Sequence, residues 1–208
     1  MKKILASLFL GGAVVLAIGL APADSAGPVL KSGSNCVAYK TSKTLAIVSS
    51  SDIVGTNCNV AVKAVKTSNG ELGAEITVPI SAFNSHEPDR DVAVAKLLKS
   101  GSQPNLLIRT ESMTAAEWLA MLKRGGGTVK GQMQFGGSSY PVSTNAKVRK
   151  SGNQVEVSGI IVTKFSSFGI KPPVVGPGGI IAKAPDHLEL HYNFLSGKVQ
   201  NLSIVPMK

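Results

Sequence analysis

The sequence predicts a mostly antiparallel β protein, a sandwich or barrel interrupted by two short helices. Three observations predict it. Apolar and polar residues alternate over five separate segments. Glycine-containing turns join neighbouring segments. A chain of 208 residues, 43% hydrophobic and only 16% charged, has enough apolar matter for one core. Alternation at period two puts every second side chain on one face of a strand, so one face packs and the other stays wet.

The elements follow in chain order. Met1-Lys2-Lys3, an apolar run from Ile4 to Leu20 and the small-residue site Ala21-Pro22-Ala23 have the layout of a secretory signal peptide, residues 1–23. The rival reading is an uncleaved anchor, but the run is short for a span and carries Gly11, Gly12 and Gly19. Cleavage near Ala23 is expected; it removes two lysines and takes the net charge from +10 to +8. Residues 24–34 then read as a flexible Gly/Ser/Pro-containing lead-in, and 35–208 as one domain, since no repeat or linker divides them. Cys36 and Cys58 are the only cysteines. In an oxidising compartment they most simply pair, the alternative being two free buried thiols.

Asn69-Gly70 signals a hairpin turn joining an inner face of Val60, Val62 and Ala64 to the alternating Leu72, Ala74, Ile76, Val78 and Ile80. Glu87 to Lys99 reads as a helix with a loose stripe of Val94, Leu97 and Leu98, Pro88 in its first turn and Gly101 as its stop. A firmer helix starts at the capping box Thr114-Ala115-Ala116-Glu117. It presents Ala115, Trp118, Leu119 and Leu122 on one face and ends at Gly125-Gly126-Gly127. Val129, Gly131, Met133 and Phe135 then alternate with polar residues, and Gly136-Gly137 turns the chain into Tyr140, Val142, Thr144, Ala146 and Val148. Ser151-Gly152-Asn153 turns it again into Val155, Val157, Gly159 and Ile161; Leu188, Leu190, Tyr192 and Phe194 make the last alternating set.

Composition and motifs exclude several functions. Low charge and plentiful aliphatics exclude wholesale disorder, and two cysteines are too few for a disulfide scaffold. Lys63, Lys130, Lys147 and Lys198 are scattered over strand exteriors, so the basic charge suits weak attraction to anionic headgroups better than nucleic-acid binding. His187, Glu189 and His191 share one strand face and invite a metal reading. Positions four apart on a strand lie about 13 Å from each other, however, and this face is expected to stand in water. Gly125-Gly126-Gly127 and Gly176-Pro177-Gly178-Gly179 lack the Lys-Ser/Thr of a phosphate loop, and no Gly-x-Ser-x-Gly accompanies a triad order.

Several blocks carry a family likeness. Val157-Ser158-Gly159 leads through Phe165 into Phe168-Gly169-Ile170-Lys171-Pro172-Pro173. This resembles the signature of the YceI-like family of exported lipid-binding proteins, a V-x-G strand followed by an F-G-I-x-P-P loop. Upstream and in the same order, Val78-Pro79-Ile80-Ser81-Ala82-Phe83-Asn84-Ser85 resembles the family's strand running into a Phe-Asn turn, and Arg90-Asp91 its Arg-Asp pair. Pro104 with Leu106 and Ile108 resembles its proline-led strand, and Gly131 to Gly137 its glycine-flanked strand. The Trp118 helix looks like an insertion in that pattern.

The resemblance implies an all-β chain with two short helices, folded as a lipocalin-like, antiparallel up-and-down β-barrel of about eight strands. It implies a periplasmic or secreted protein binding a polyisoprenoid, an isoprenoid quinone or a fatty amphiphile inside that barrel. No catalytic residue, metal or cofactor is expected, nor a nucleic-acid partner. Transient contact with a membrane surface and a homodimer stay open. The rival is an exported structural or stress-response β module with no internal ligand.

Candidate cavity or rim residues are Ile76, Val78, Phe83, Arg90, Met133, Phe135, Val157, Gly159, Ile161, Phe168, Ile170, Leu190 and Tyr192. Small inward residues such as Ala64, Ala74, Gly131, Ala146 and Gly159 leave room for a tunnel, although the same mix suits a packed core. Burying three isoprene units, about fifteen carbons, yields roughly 12 kcal/mol gross at about 0.8 kcal/mol per carbon. Micromolar binding needs roughly 8 kcal/mol, so a dry cavity suffices. The loop from Phe165 to Gly179 reads either as a closing flap or as a plug of Phe168 and Ile170. Arg90 reads either as a clamp for a phosphate or quinone oxygen or as half of an Arg-Asp pair tying a helix to the barrel.

Overall fold

The computed structural model describes residues 29–30, 33–45, 49–175 and 182–202. The signal segment, most of the lead-in, and 176–179 of the glycine-rich loop lie outside the described residues. The long strands are β1 (Cys36–Leu45), β2 (Ser49–Asn57), β3 (Ala61–Lys66), β4 (Leu72–Pro79), β5 (Asn105–Thr110), β6 (Gly126–Phe135), β7 (Ser138–Ser151), β8 (Gln154–Thr163) and β11 (Leu188–Leu195). Three two-residue strands add to them: β9 (Val174–Val175), β10 (Ala182–Lys183) and β12 (Val199–Gln200). Helix α1 (Pro88–Leu97) precedes β5 and helix α2 (Ala115–Arg124) follows it.

Among the described residues all twelve strands belong to one sheet, in the order β12-β3-β4-β5-β6-β7-β8-β11-β1-β10-β9 with β2 paired to β1. Apart from the parallel pair β12–β3, neighbours run antiparallel, which is the up-and-down order expected, with more strands than eight. The sheet curls until its far sides meet: Val62 of β3 belongs to the same core as Val37 and Tyr39 of β1. Between β2 and the β3–β4 side a seam replaces the ladder. It is held by paired backbone hydrogen bonds between Thr56 and Asn84, both 2.9 Å, by Asn57 Nδ2 donating to the Pro79 carbonyl at 2.8 Å, and by a disulfide joining Cys36 to Cys58. Closing a loop of 22 residues restricts the unfolded chain by about 3 kcal/mol in the chain-entropy account.

Local chemistry fixes the elements. Gly136 and Gly137 both take positive φ, +55° and +79°, the two-residue turn that matches strand twist and that side chains resist. Around α2 the capping box is formed in both directions, and Gly125, left-handed at φ +76°, ends the helix. α1 differs from its reading. It has no fully buried residue, and it stops before Gly101 because Lys99 takes the left-handed position at φ +55°. The Ser100 N–H then reaches back to the Ala95 carbonyl.

The inner faces follow the alternation. Leu72, Ile76, Val78, Gly131, Met133, Phe135, Ala146 and Val148 are buried, while Lys63, Thr128, Lys130, Gln132 and Lys147 are exposed. Glu156 breaks the pattern on the outer face of β8: it is 2% exposed, and its carboxylate accepts from Arg149 at 2.6 Å.

Candidate functional site

Inside the curl lies an apolar cavity of about 350 Å³. Every strand from β3 to β8 contributes to its wall, with β1 and β11 closing the circle. Of the sequence candidates, Ile76, Val78, Phe83, Met133, Val157, Ile161, Leu190 and Tyr192 line it. The wall is made of aliphatic carbon and aromatic rings, so water inside gains few hydrogen bonds and an apolar guest loses little.

The remaining candidates sit elsewhere, each for a visible reason. Gly159 leaves no room for a guest: the Tyr192 ring lies across it, and a Cβ there would meet the tyrosine oxygen at 2.4 Å. Gly131, by contrast, lines the cavity, and its bareness lets β5 come close, since a Cβ would meet the Arg109 carbonyl oxygen at 2.4 Å. Phe135 and Phe168, each 5% exposed, form an aromatic plug with Tyr140, with ring centroids 4.9–6.0 Å apart. Ile170 packs against that core. In this structure the loop residues Phe168 and Ile170 pack with the core and, with Phe135 and Tyr140, line a separate smaller pocket. Arg90 does not line the cavity. Its Nε donates to Ser85 Oγ at 2.9 Å and its Nη2 to the Ser85 carbonyl at 2.7 Å, while Asp91 accepts from the Ser85 hydroxyl at 2.6 Å. The pair ties α1 to the turn after β4.

Several wall residues escaped the sequence reading. Trp118, Leu119 and Leu122 of α2 line the cavity, and Trp118 Nε1 donates to the Leu72 carbonyl at 2.9 Å, which fixes the helix against the start of β4. Their helical face was legible, but the surface it covers was not. Tyr39 also lines the cavity; β1 is too rich in Lys, Ser and Thr to advertise an inner face. Burial pushes the Tyr39 hydroxyl pKa up, against the opposing pull of Ser85 and Arg90, and the buried oxygen makes no hydrogen bond of normal geometry. Burial likewise raises Tyr192, offset in part by its 3.2 Å contact with the Thr144 hydroxyl.

That contact lies where the wall is weakest. The β7–β8 ladder runs only from Ser151–Gln154 to Lys147–Ser158, although β7 continues to Ser138 and β8 to Thr163. Thr144 Oγ1, 3.4 Å from the Ile160 carbonyl, spans part of the unzipped stretch.

On the outer face, His187 and His191 both reach Glu189, at 3.4 and 2.9 Å, and the His191 side chain is 12% exposed instead of standing in water. Burial alone would raise the Glu189 pKa, but His191, His187 and the charge of Lys40 together hold it below the ordinary carboxylate value. Among the described residues no group of three or more His, Cys, Asp or Glu could hold a metal ion, and no helix is long and apolar enough to cross a membrane.

The fold has solved counterparts. BcnA of Burkholderia cenocepacia superposes with a TM-score of 0.55 at 14% identity, covering 77% of this chain and 95% of that one. A domain from Saccharophagus degradans described as polyisoprenoid-binding superposes at 0.50 with 9% identity over 76% of this chain and 92% of its own. The YCEI protein of Campylobacter jejuni reaches 0.51 at 14% identity over 70% and 84%. No curated protein sequence matches this chain. At these identities the superpositions speak for the fold alone. The sequence pattern of the YceI-like domain itself matches residues 35–194, and by that match the chain belongs to the YceI-like domain family.

Proposed function

We propose that this protein is an exported carrier that takes an isoprenoid or similar amphiphilic lipid into its barrel and holds the tail out of water. The observation that carries the reading is the apolar cavity, ringed by strand side chains from β1 round to β11. The Saccharophagus relative described as polyisoprenoid-binding supports the choice of ligand class. Polyisoprenoids, isoprenoid quinones and fatty amphiphiles share the required chemistry: a flexible hydrocarbon tail whose burial is worth about 0.8 kcal/mol per carbon. The signal-like N-terminus and the disulfide support a periplasmic or secreted location. The surplus of lysine and arginine suits brief visits to anionic membrane surfaces. No bond-making step is part of the reading.

Mass spectrometry of gently purified protein under native conditions tests it. A co-purifying lipid mass, lost on organic extraction and regained on mixing with that lipid, is the expected result. Ala74→Phe, which puts a ring into the cavity from a lining position, should fold and secrete normally yet lose at least tenfold in lipid affinity. Unchanged uptake by the folded variant would move the site out of the barrel.

A further inference from the structure

The apolar cavity is flanked at its two ends by differently built elements. At the end where β4 and β5 meet the α1 side, Phe135, Tyr140 and Phe168 interlock. At the other end the chain leaves β5, runs through α2 and re-enters the sheet as β6, so α2 sits beside the cavity at that end. Its Trp118, Leu119 and Leu122 face the cavity. Met121, 3% exposed, is seated on Gly127, where a Cβ would meet its Cγ at 3.0 Å. The Trp118 hydrogen bond to Leu72 and the backbone bridge between Leu72 and Met113 hold the helix down on that rim.

The apolar volume sets a capacity. An apolar protein cavity of about 150 Å³ takes one benzene ring, six carbons, so scaled by carbon count a cavity of about 350 Å³ takes about fourteen carbons. We infer that α2 makes this chain selective for tail length: the barrel encloses an apolar tail of about fourteen carbons and excludes the rest of a longer one, with Trp118 and Leu119 as the residues that set the limit. Tails near two to three isoprene units, or medium fatty chains, fit this volume. Polyprenyl tails many units longer would leave most of their carbons in water and gain nothing from them.

The inference rests on the cavity being the lipid site, and the test separates the two. The purified full-length mature protein is titrated with straight-chain alcohols from ten to eighteen carbons, each displacing a fluorescent fatty probe. Affinity should rise about fourfold per added carbon until about fourteen carbons, then level off or fall. Trp118→Ala should move that break to longer chains. Leu119→Ala, at a residue 39% exposed and so well tolerated, should move it in the same direction by less. A rise that continues unbroken through eighteen carbons, or a break that neither variant moves, overturns the role of α2 while leaving the carrier intact. Failure of every alcohol to bind overturns the carrier reading, and the length limit with it.

Discussion

Two tyrosines show what Gly55 and Gly159 are for. Tyr39 faces Gly55 across the β1–β2 ladder, and Tyr192 faces Gly159 across β8–β11. In each pair the ring lies where the missing side chain would be. At Gly55 and Gly159 the absent side chain leaves room for an aromatic ring and not for a guest. Gly159→Ala should push the Tyr192 ring aside and break its contact with Thr144, costing about 1–3 kcal/mol in urea denaturation. A cost near zero would mean the ring moves freely. Glu189 gives the pH dependence at this scale. Its folded pKa is depressed, so its contribution is present above the unfolded value of about 4.3 and is lost as pH falls through the folded value. Glu189→Gln should therefore flatten the acid side of the stability-versus-pH curve, and identical acid limbs for both proteins would show that the histidine contacts add nothing.

Among the elements, α2 is specified most fully by local chemistry. Thr114 and Glu117 cap each other's backbone, Gly125 stops the helix, and the apolar face between them repeats at helical spacing. Thr114→Ala should remove one cap and lower stability by about 1 kcal/mol, read from the midpoint of thermal unfolding. If the midpoint stays put, α2 is held by its tertiary contacts alone. α1 is the contrast. It has Pro88 at its start and acidic residues in its first turn but fully buries none of its residues, so Arg90, Asp91 and Ser85 hold it by polar contacts beside the partly buried Ala95 and Leu98.

Across the whole molecule, the barrel wall is uneven. Most neighbouring strands pair along nearly their full length, but β7 and β8 separate after five register pairs. Alternate amides of an antiparallel strand point to opposite neighbours, so those of 139–146 and 159–163 that face the gap have no ladder partner. Hydrogen exchange read by mass spectrometry should find a fast-exchanging fraction in these two segments and slow exchange in Gly126–Phe135, which is paired to both β5 and β7 over its second half. Uniform protection would mean the two strands are zipped in solution.

Much of this was legible along the chain. Alternation named the inner faces of β4, β6, β7 and β11 residue by residue, the turn glycines placed the hairpins, and Thr114 with Glu117 placed α2, because each rests on contacts between residues close in sequence. The inner residues of β8 were named as well, yet the burial of Glu156 on its outer face, the rings parked over Gly55 and Gly159, and the break between β7 and β8 depend on which strand lies alongside. The face of α2 could be read without knowing that it would line a cavity. Local pattern decides which side of an element is apolar. Only the curled sheet decides what each side meets, and whether the apolar sides touch or leave a space between them.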